Sequence, residues 1–214
     1  MITYRQTIMP CQSLAERCLI CALLASLLLA MTLTGCQQEP TWRTRTITHF
    51  MPDLAFTLTD QNGRTVHADN YAGKVVMLFF GFSHCMQTCP LTLGKLTAVL
   101  NSMGKQADHA RVLFVSVDPN RDTPATLAAY TRSFAPEVIG LTGTTAQLSD
   151  LTRRYRVAYS YGKGYPNGQY PVYHSGAVFV FDGNGKVQLL FTQDDSFSDI
   201  SADLRRLASL QPPA

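Results

Sequence analysis

The sequence predicts an α/β fold, a three-layer sandwich with a central mixed sheet, from about Met51 onward. The continuous apolar run VVMLFF at Val75–Phe80 is typical of a central strand that is covered on both faces, and the run VLFVSV at Val112–Val117 predicts a second buried strand. Each run is followed by a segment in which apolar residues recur at helical spacing. Because strands alternate with helices and a hairpin follows near the C-terminus, a layered arrangement of sheet and helices is expected.

Turn signals delimit the elements in the first half of this region. The segments Leu54–Thr59 and Arg64–His67 flank the turn DQNG, which predicts an N-terminal β-hairpin. The strand Val75–Phe80 then leads into a helix from Pro90 to about Met103. Proline is tolerated at the start of a helix, so Pro90 favours a helix that begins there.

The second half continues the alternation of strands and helices. After the strand Val112–Val117, the turn DPNRDTP leads into a helix capped by Asp122 or Thr123, with Leu127, Tyr130 and Phe134 on its inner face. The remaining predicted elements are a strand at Val138–Leu141, a helix at Thr145–Tyr155, a hairpin of Ser175–Asp182 with Val187–Phe191, and a helix at Phe197–Leu210. This order is typical of the thioredoxin-like sandwich.

Composition excludes several classes of function. The chain has 214 residues, 46 % of them hydrophobic and 15 % charged, which indicates a globular protein. A formal net charge of +3 without a Lys/Arg cluster gives no support for a nucleic-acid partner. The sequence also lacks the glycine-rich motifs that bind dinucleotides or nucleoside triphosphates.

The N-terminal region reads as an export signal. The stretch Cys18–Cys36 carries no charge and follows Arg5 and Arg17. Its last four residues, Leu33-Thr34-Gly35-Cys36, resemble the bacterial lipoprotein box, in which the signal is cut before a cysteine that becomes lipidated. We therefore expect a signal peptide at 1–35, lipidation at Cys36 and a lipid-anchored protein on the cell membrane that faces the periplasm. An uncleaved membrane anchor and plain secretion are the alternatives.

The same interpretation sets the domain organisation and the number of free thiols. Residues 36–50 are polar and lack periodicity, which predicts a flexible tether before a domain at 51–211. Three cysteines would leave with the signal and one would carry lipid. Only Cys85 and Cys89 then remain as thiols, in a compartment that permits disulfides.

Cys85 and Cys89 are predicted to lie where a buried strand gives way to a helix. A disulfide closing so small a loop would stabilise the fold by only about 2 kcal/mol, so a purely structural bridge is disfavoured. The N-terminus of a helix lowers the pKa of nearby thiols, and thiolate is both the nucleophile and the metal ligand. A redox pair and a pair of metal ligands both remain open.

A metal site would need a further donor from elsewhere in the chain. His174 is predicted at the start of an apolar strand, which in a thioredoxin-like fold lies beside the cysteine loop, although a histidine there is more often structural. His84 adjoins Cys85 but is expected to point away from it. The other three histidines, His49, His67 and His109, are expected to be solvated. Two thiolates with one imidazole form a ligand set that suits copper.

Four segments together resemble the Sco/SenC family of membrane-tethered, thioredoxin-like copper proteins that help assemble cytochrome c oxidase. The segments are HCMQTCPLTL, DPNRDTPATLAAYTRSF, GLTG and YHSGAVFVFDGNGK. The resemblance implies one copper ion, Cu(I) or Cu(II), bound by Cys85, Cys89 and His174. The family commonly has an acid before this histidine; Tyr173 stands there in this chain, which implies weaker electrostatic support for a bound cation.

The resemblance leaves two functions open. The first is a metallochaperone that passes copper to the binuclear copper centre of a terminal oxidase subunit. Its partners would be that subunit and a thiol reductant or copper donor protein. The second is a thiol–disulfide oxidoreductase in which Cys85 and Cys89 are a redox-active pair acting on a periplasmic partner. A peroxidase of the peroxiredoxin type shares the fold class, but its peroxide-binding signature is missing from the sequence.

Overall fold

The computed structural model describes residues 41–165 and 170–211, and those from Trp42 onward belong to one compact unit. The predicted signal peptide, the lipidation site Cys36 and the first part of the predicted tether lie outside the described residues. Among the helices that are described, none has both the length and the apolar character needed to cross a bilayer.

Ten strands and four α-helices make up the described part of the chain. The strands are β1 Arg45–Thr46, β2 Thr57–Asp60, β3 Thr65–His67, β4 Val75–Gly81, β5 Ala110–Ser116, β6 Val138–Thr142, β7 Tyr159–Tyr161, β8 Val172–His174, β9 Val178–Phe181 and β10 Val187–Phe191. The α-helices are α1 Thr88–Met103, α2 Pro124–Thr131, α3 Thr145–Arg154 and α4 Phe197–Ser209. Short 3-10 helices at Ala68–Tyr71 and Gly104–His109 precede β4 and β5.

Eight of these strands form one mixed sheet in the order β1-β10-β9-β4-β5-β6-β2-β3. The central strands β4, β5 and β6 are parallel, and the pairs β9–β4 and β2–β6 are antiparallel. The parallel register pairs Val75 with Ala110 and Gly81 with Ser116, so β4 and β5 end together. The loops that follow these two strands therefore meet at one edge of the sheet.

The core explains why β4 is apolar along its whole length. Val75, Met77 and Phe79 belong to one hydrophobic cluster, whereas the intervening residues of β4 belong to a second cluster on the opposite face. The helices α1, α2 and α4 pack in the first cluster and α3 packs in the second. Helices on both faces of a mixed sheet confirm the predicted three-layer sandwich. The antiparallel pairing of β2 with β3 confirms the predicted N-terminal hairpin.

The predicted flexible tether and the predicted domain start at Met51 differ from the structure. Arg45–Thr46 pairs with β10 at the sheet edge, and both Thr44 and Ile47 are buried. The buried carboxylate of Asp203 in α4 accepts hydrogen bonds from the backbone of Arg43 and Thr44 and from the Thr44 hydroxyl. A two-residue strand is too short to show alternating polarity, so the sequence pattern gave no sign of it.

The segment around His174 also differs from the prediction. The strand predicted to begin at Ser175 begins at Val178, and His174 instead ends the separate short strand β8. This strand pairs with β7 in a small two-stranded sheet, with His174 opposite Tyr159. The intervening Ser175-Gly176-Ala177 separates β8 from β9 and carries His174 toward the cysteine loop.

Candidate metal centre

The two cysteines lie on the turn that joins β4 to α1. Helix α1 begins at Thr88, two residues earlier than predicted, so Cys89 lies in its first turn and Cys85 precedes it. The Cys89 side chain is fully buried, whereas Cys85 is partly exposed, and both are free thiols. The backbone N–H of Cys89 lies in the first turn of the helix, where N–H groups have no acceptor within the helix, and it donates to Cys85 Sγ across 3.4 Å.

Gly81, the last residue of β4, makes room for the Cys89 side chain. A Cβ atom at this position would lie 2.5 Å from Cys89 Sγ and 2.6 Å from the Phe114 ring. Contacts this short do not occur in folded proteins, so only glycine allows the sulfur to rest against the strand. The apolar run that predicts β4 therefore ends at the residue that accommodates the site.

His174 presents one ring nitrogen to the cysteines. Its Nδ1 atom lies 3.0 Å from the carbonyl oxygen of Ser175. A carbonyl only accepts hydrogen bonds, so Nδ1 carries the proton, and in the neutral ring Nε2 keeps its lone pair. Nε2 lies 3.3 Å from Cys89 Sγ. The imidazole also packs edge-on against Phe79 and Phe82, at centroid distances of 6.2 and 5.8 Å.

The two thiols differ in acidity because they share one proton. The hydrogen bond with the Cys89 thiol lowers the pKa of Cys85 to about 4; burial opposes this shift, and the Cys89 backbone N–H and His174 reinforce it. The same sulfur–sulfur interaction, together with burial, raises the pKa of Cys89. Cys85 is therefore the thiolate of the pair and the more accessible sulfur.

A buried carboxylate fixes the start of the cysteine loop. Asp122, fully buried in the DPNRDTP turn, accepts hydrogen bonds from the backbone N–H and the hydroxyl of Ser83 at 2.8 and 2.5 Å. It also accepts one at 2.6 Å from the hydroxyl of Ser116 at the end of β5. Asp122 was predicted as a possible helix cap, but Thr123 caps α2. Asp122 instead joins the loop after β5 to the loop after β4. It binds the second loop at Ser83, two residues before Cys85.

The structure brings together the three predicted ligands and separates them from His84. Cys85, Cys89 and His174 each offer one donor atom, and these atoms all lie within 4.8 Å of one another. The half-exposed His84 ring instead lies 3.0 Å from the Ser83 hydroxyl and 3.7 Å from the Asp122 carboxylate. Tyr173, which stands where an acid is expected before the histidine, is 64 % exposed.

The donor set fits a single soft or borderline metal ion. Bonds of about 2.3 Å to thiolate and about 2.0 Å to imidazole, as in zinc sites, separate two donors on one ion by roughly 3.5 to 4.5 Å. The observed spacing is close to this range without any change in the fold. Two sulfurs and an imidazole suit copper, and among the described residues no fourth Cys, His or acid joins the group to complete a closed zinc site.

The fold and this site define a thioredoxin-like protein with a Cys–Cys–His group at the edge of its sheet that could hold a metal ion. The chain belongs to the SCO1/SenC family, whose model matches residues 47–209. An SCO2-like protein of Rickettsia conorii is 35 % identical over 153 residues, which cover 70 % of this chain and 74 % of that protein. The mitochondrial SCO2 homologue of Bos taurus is 36 % identical over 153 residues, covering 71 % and 58 % of the two chains.

Solved structures show the same fold with metal bound. Bradyrhizobium japonicum ScoI with copper bound has a TM-score of 0.67 and 37 % identity, covering 72 % of this chain and 98 % of that one. Yeast Sco1 with copper bound has a TM-score of 0.68 and 31 % identity, covering 76 % and 92 %. The predicted family and thioredoxin-like fold are confirmed, and copper is the metal found in these homologues.

Proposed function

We propose that this protein binds one copper ion through Cys85, Cys89 and His174 and delivers it to the binuclear copper centre of cytochrome c oxidase. The convergence of two sulfurs and one unprotonated imidazole nitrogen within 4.8 Å carries the proposal. The copper-bound ScoI and Sco1 structures support copper as the metal. BsSco, which shares the fold at 19 % identity with a TM-score of 0.58, is a member of the Sco family of cytochrome c oxidase assembly proteins.

The three proposed ligands differ in ways that suit the uptake and release of a copper ion. Cys85 is already a thiolate and is partly exposed, so it can meet a donor protein first and exchange ligands with an acceptor last. Cys89 must lose its proton to bind, which links uptake to proton release. His174 has its proton fixed on Nδ1 by the Ser175 carbonyl and therefore offers Nε2 without rearrangement.

Metal transfer tests this proposal directly. The full chain, purified in detergent and reduced, should take up one equivalent of copper and pass it to the copper-free copper-binding domain of an oxidase subunit. The same chain oxidised at Cys85–Cys89 should take up little copper, because metal binding and the disulfide use the same sulfurs. Equal copper uptake by the oxidised and reduced chains would contradict the proposal.

A second function is favoured by the lowered pKa of Cys85. Its thiolate can attack a partner's disulfide, forming a mixed disulfide and releasing one partner thiolate. Cys89, after losing its proton, would attack the Cys85 sulfur and release the second partner thiolate. The partner gains two electrons and this protein is left with a Cys85–Cys89 disulfide. Trapping of a mixed disulfide by Cys89→Ser, but not by Cys85→Ser, would support this order of attack.

A lipid anchor would place the site next to its acceptor. The apolar stretch that ends in Leu33-Thr34-Gly35-Cys36 supports export and lipidation, with the domain on the periplasmic side of the cell membrane. A membrane-bound oxidase subunit and a periplasmic reductant or copper donor would then share its surroundings.

A further inference from the structure

Arg121, in the turn between β5 and α2, stacks on the Tyr170 ring and also lies over the Phe82 ring. Its guanidinium carbon lies 3.8 Å from the centroid of the Tyr170 ring and 5.6 Å from that of the Phe82 ring. Its Nη1 atom also donates to the backbone carbonyl of Tyr170 at 3.1 Å. One side chain therefore contacts both the segment before β8 and the loop before Cys85.

The buried carboxylate of Asp118 orients this arginine. Asp118 is fully buried and accepts a hydrogen bond from Arg121 Nε. Its other oxygen accepts a hydrogen bond of 2.7 Å from the Tyr170 hydroxyl. Asp118, Arg121 and Tyr170, here called the clamp, thus hold one another through an ion pair, a stacked ring and two further hydrogen bonds.

The clamp reaches His174 by two routes. Along the chain, Tyr170 lies two residues before β8, the strand that His174 ends. Through space, Phe82 lies between Arg121 and His174, and its ring meets the imidazole edge-on at 5.8 Å and 87°. A displacement of Arg121 would remove support from the strand that carries His174 and from the ring that backs it.

We propose that Arg121, oriented by Asp118, is a positioning residue for His174 and so controls how well the centre holds Cu(II). The inference rests on the proposed copper ligands. A purely structural ion pair would require only a cation beside Asp118, which lysine also supplies. Stacking on Tyr170 while bonding its carbonyl requires the planar, multi-donor guanidinium. The two cysteines lie on α1 and its preceding loop and not on β8, so we expect a shift of β8 to displace His174 more than either sulfur.

We expect the clamp variants to lose affinity for Cu(II) more than for Cu(I). Arg121→Lys keeps a positive charge beside Asp118 but loses the stacked guanidinium. We expect Cu(II) affinity to fall about fivefold or more, with an altered thiolate-to-Cu(II) absorption band, while Cu(I) affinity changes less than about twofold. Tyr170→Leu, which removes the stacking ring and leaves the Arg121–Asp118 pair, should reproduce this pattern and covers the case in which Arg121→Lys does not fold.

The experiment measures Cu(I) and Cu(II) affinities and Cu(II) spectra of the full chain and its variants. Arg153→Lys is the matched control, because Arg153 makes an exposed 3.0 Å ion pair with Asp150 away from the centre. Arg121→Lys added to His174→Ala should change the Cu(II) spectrum no further. Equal effects on Cu(I) and Cu(II), or an unaltered Cu(II) spectrum in folded Arg121→Lys and Tyr170→Leu, would overturn the inference.

The same set of variants separates this inference from the proposed function. An altered spectrum in His174→Ala but not in the two clamp variants leaves the copper ligands in place and removes only the positioning role. An unaltered spectrum in His174→Ala removes His174 from the ligand set, and the positioning role is overturned with it.

Discussion

The Nε2 atom of His174 lies 3.3 Å from the Sγ atom of Cys89, although the two residues are 85 positions apart in the sequence. This contact joins the small β7–β8 sheet to the N-terminus of α1. A centre built across two such segments forms only when the whole domain is folded. Metal binding should therefore report on tertiary structure as well as on ligand chemistry.

The lowered pKa of Cys85 predicts the pH at which this thiol loses its reactivity. A pKa of about 4 means that Cys85 remains a thiolate as pH falls from 8 to about 5, because its proton returns only near pH 4. Iodoacetamide should then alkylate Cys85 at pH 6 nearly as fast as at pH 8, with buried Cys89 reacting much later. Peptide mass mapping would show this order. A reaction midpoint near pH 8 to 9 would contradict the lowered pKa.

Gly81 provides a test of close packing at the centre. Gly81→Ala places a methyl group against Cys89 Sγ and Phe114, so we expect a loss of about 1–3 kcal/mol in the free energy of unfolding and weaker copper binding. Gly94→Ala is the matched control, because nothing lies within 4 Å of its added Cβ within α1. That variant should be stabilised by up to about 1 kcal/mol, with copper binding unchanged. Similar behaviour of both variants in urea unfolding would argue against the packing role.

The hydrogen bonds to Asp203 are expected to hold the segment before β1 against α4. Asp203→Ala removes the buried acceptor of hydrogen bonds from Arg43 and Thr44, so we expect the free energy of unfolding to fall by about 2 kcal/mol or more. Trypsin should also cleave faster after Arg43 and Arg45. Asp150→Ala, which breaks only an exposed ion pair, should change stability by less than about 0.5 kcal/mol. Unchanged cleavage in Asp203→Ala would indicate that β1 is held by other contacts.

Lipidation at Cys36 predicts a specific mass. Protein extracted from bacterial membranes should begin at Cys36 and carry diacylglycerol and acyl groups, since the apolar stretch ends in Leu-Thr-Gly-Cys. Intact-mass analysis would measure this, with Cys36→Ser as the unmodified comparison. A chain that retains residues 1–35 would favour an uncleaved anchor instead.

Strong periodic patterns made much of the fold predictable. The apolar runs within β4 and β5 and the helix that contains Cys89 could be assigned because burial on both faces and helical spacing leave clear sequence signals. Cys85, Cys89 and His174 could be grouped because the segments around them resemble the Sco/SenC family. Spacing alone would have left His174 a structural histidine.

The features that were missed depend on long-range contacts. The strands β7 and β8 are three residues each, so their alternation was too brief to recognise, and β1 is shorter still. Asp122 and Arg121 stood in a turn whose residues suggested helix capping. Their contacts with Ser83 and Tyr170 arise only when the loops after β4 and β5 and the segment before β8 come together.

The most direct test of the central claim is the Cu(II) absorption spectrum of folded His174→Ala protein beside its Cu(I) affinity. If Cys85, Cys89 and His174 hold copper together, the variant should keep appreciable Cu(I) binding through its two thiolates and lose or strongly alter the thiolate-to-Cu(II) band. His84→Ala, the neighbouring-histidine control, should match the unaltered protein in both measurements. An unchanged Cu(II) band in folded His174→Ala would contradict the three-ligand centre and leave only the cysteines to bind the metal.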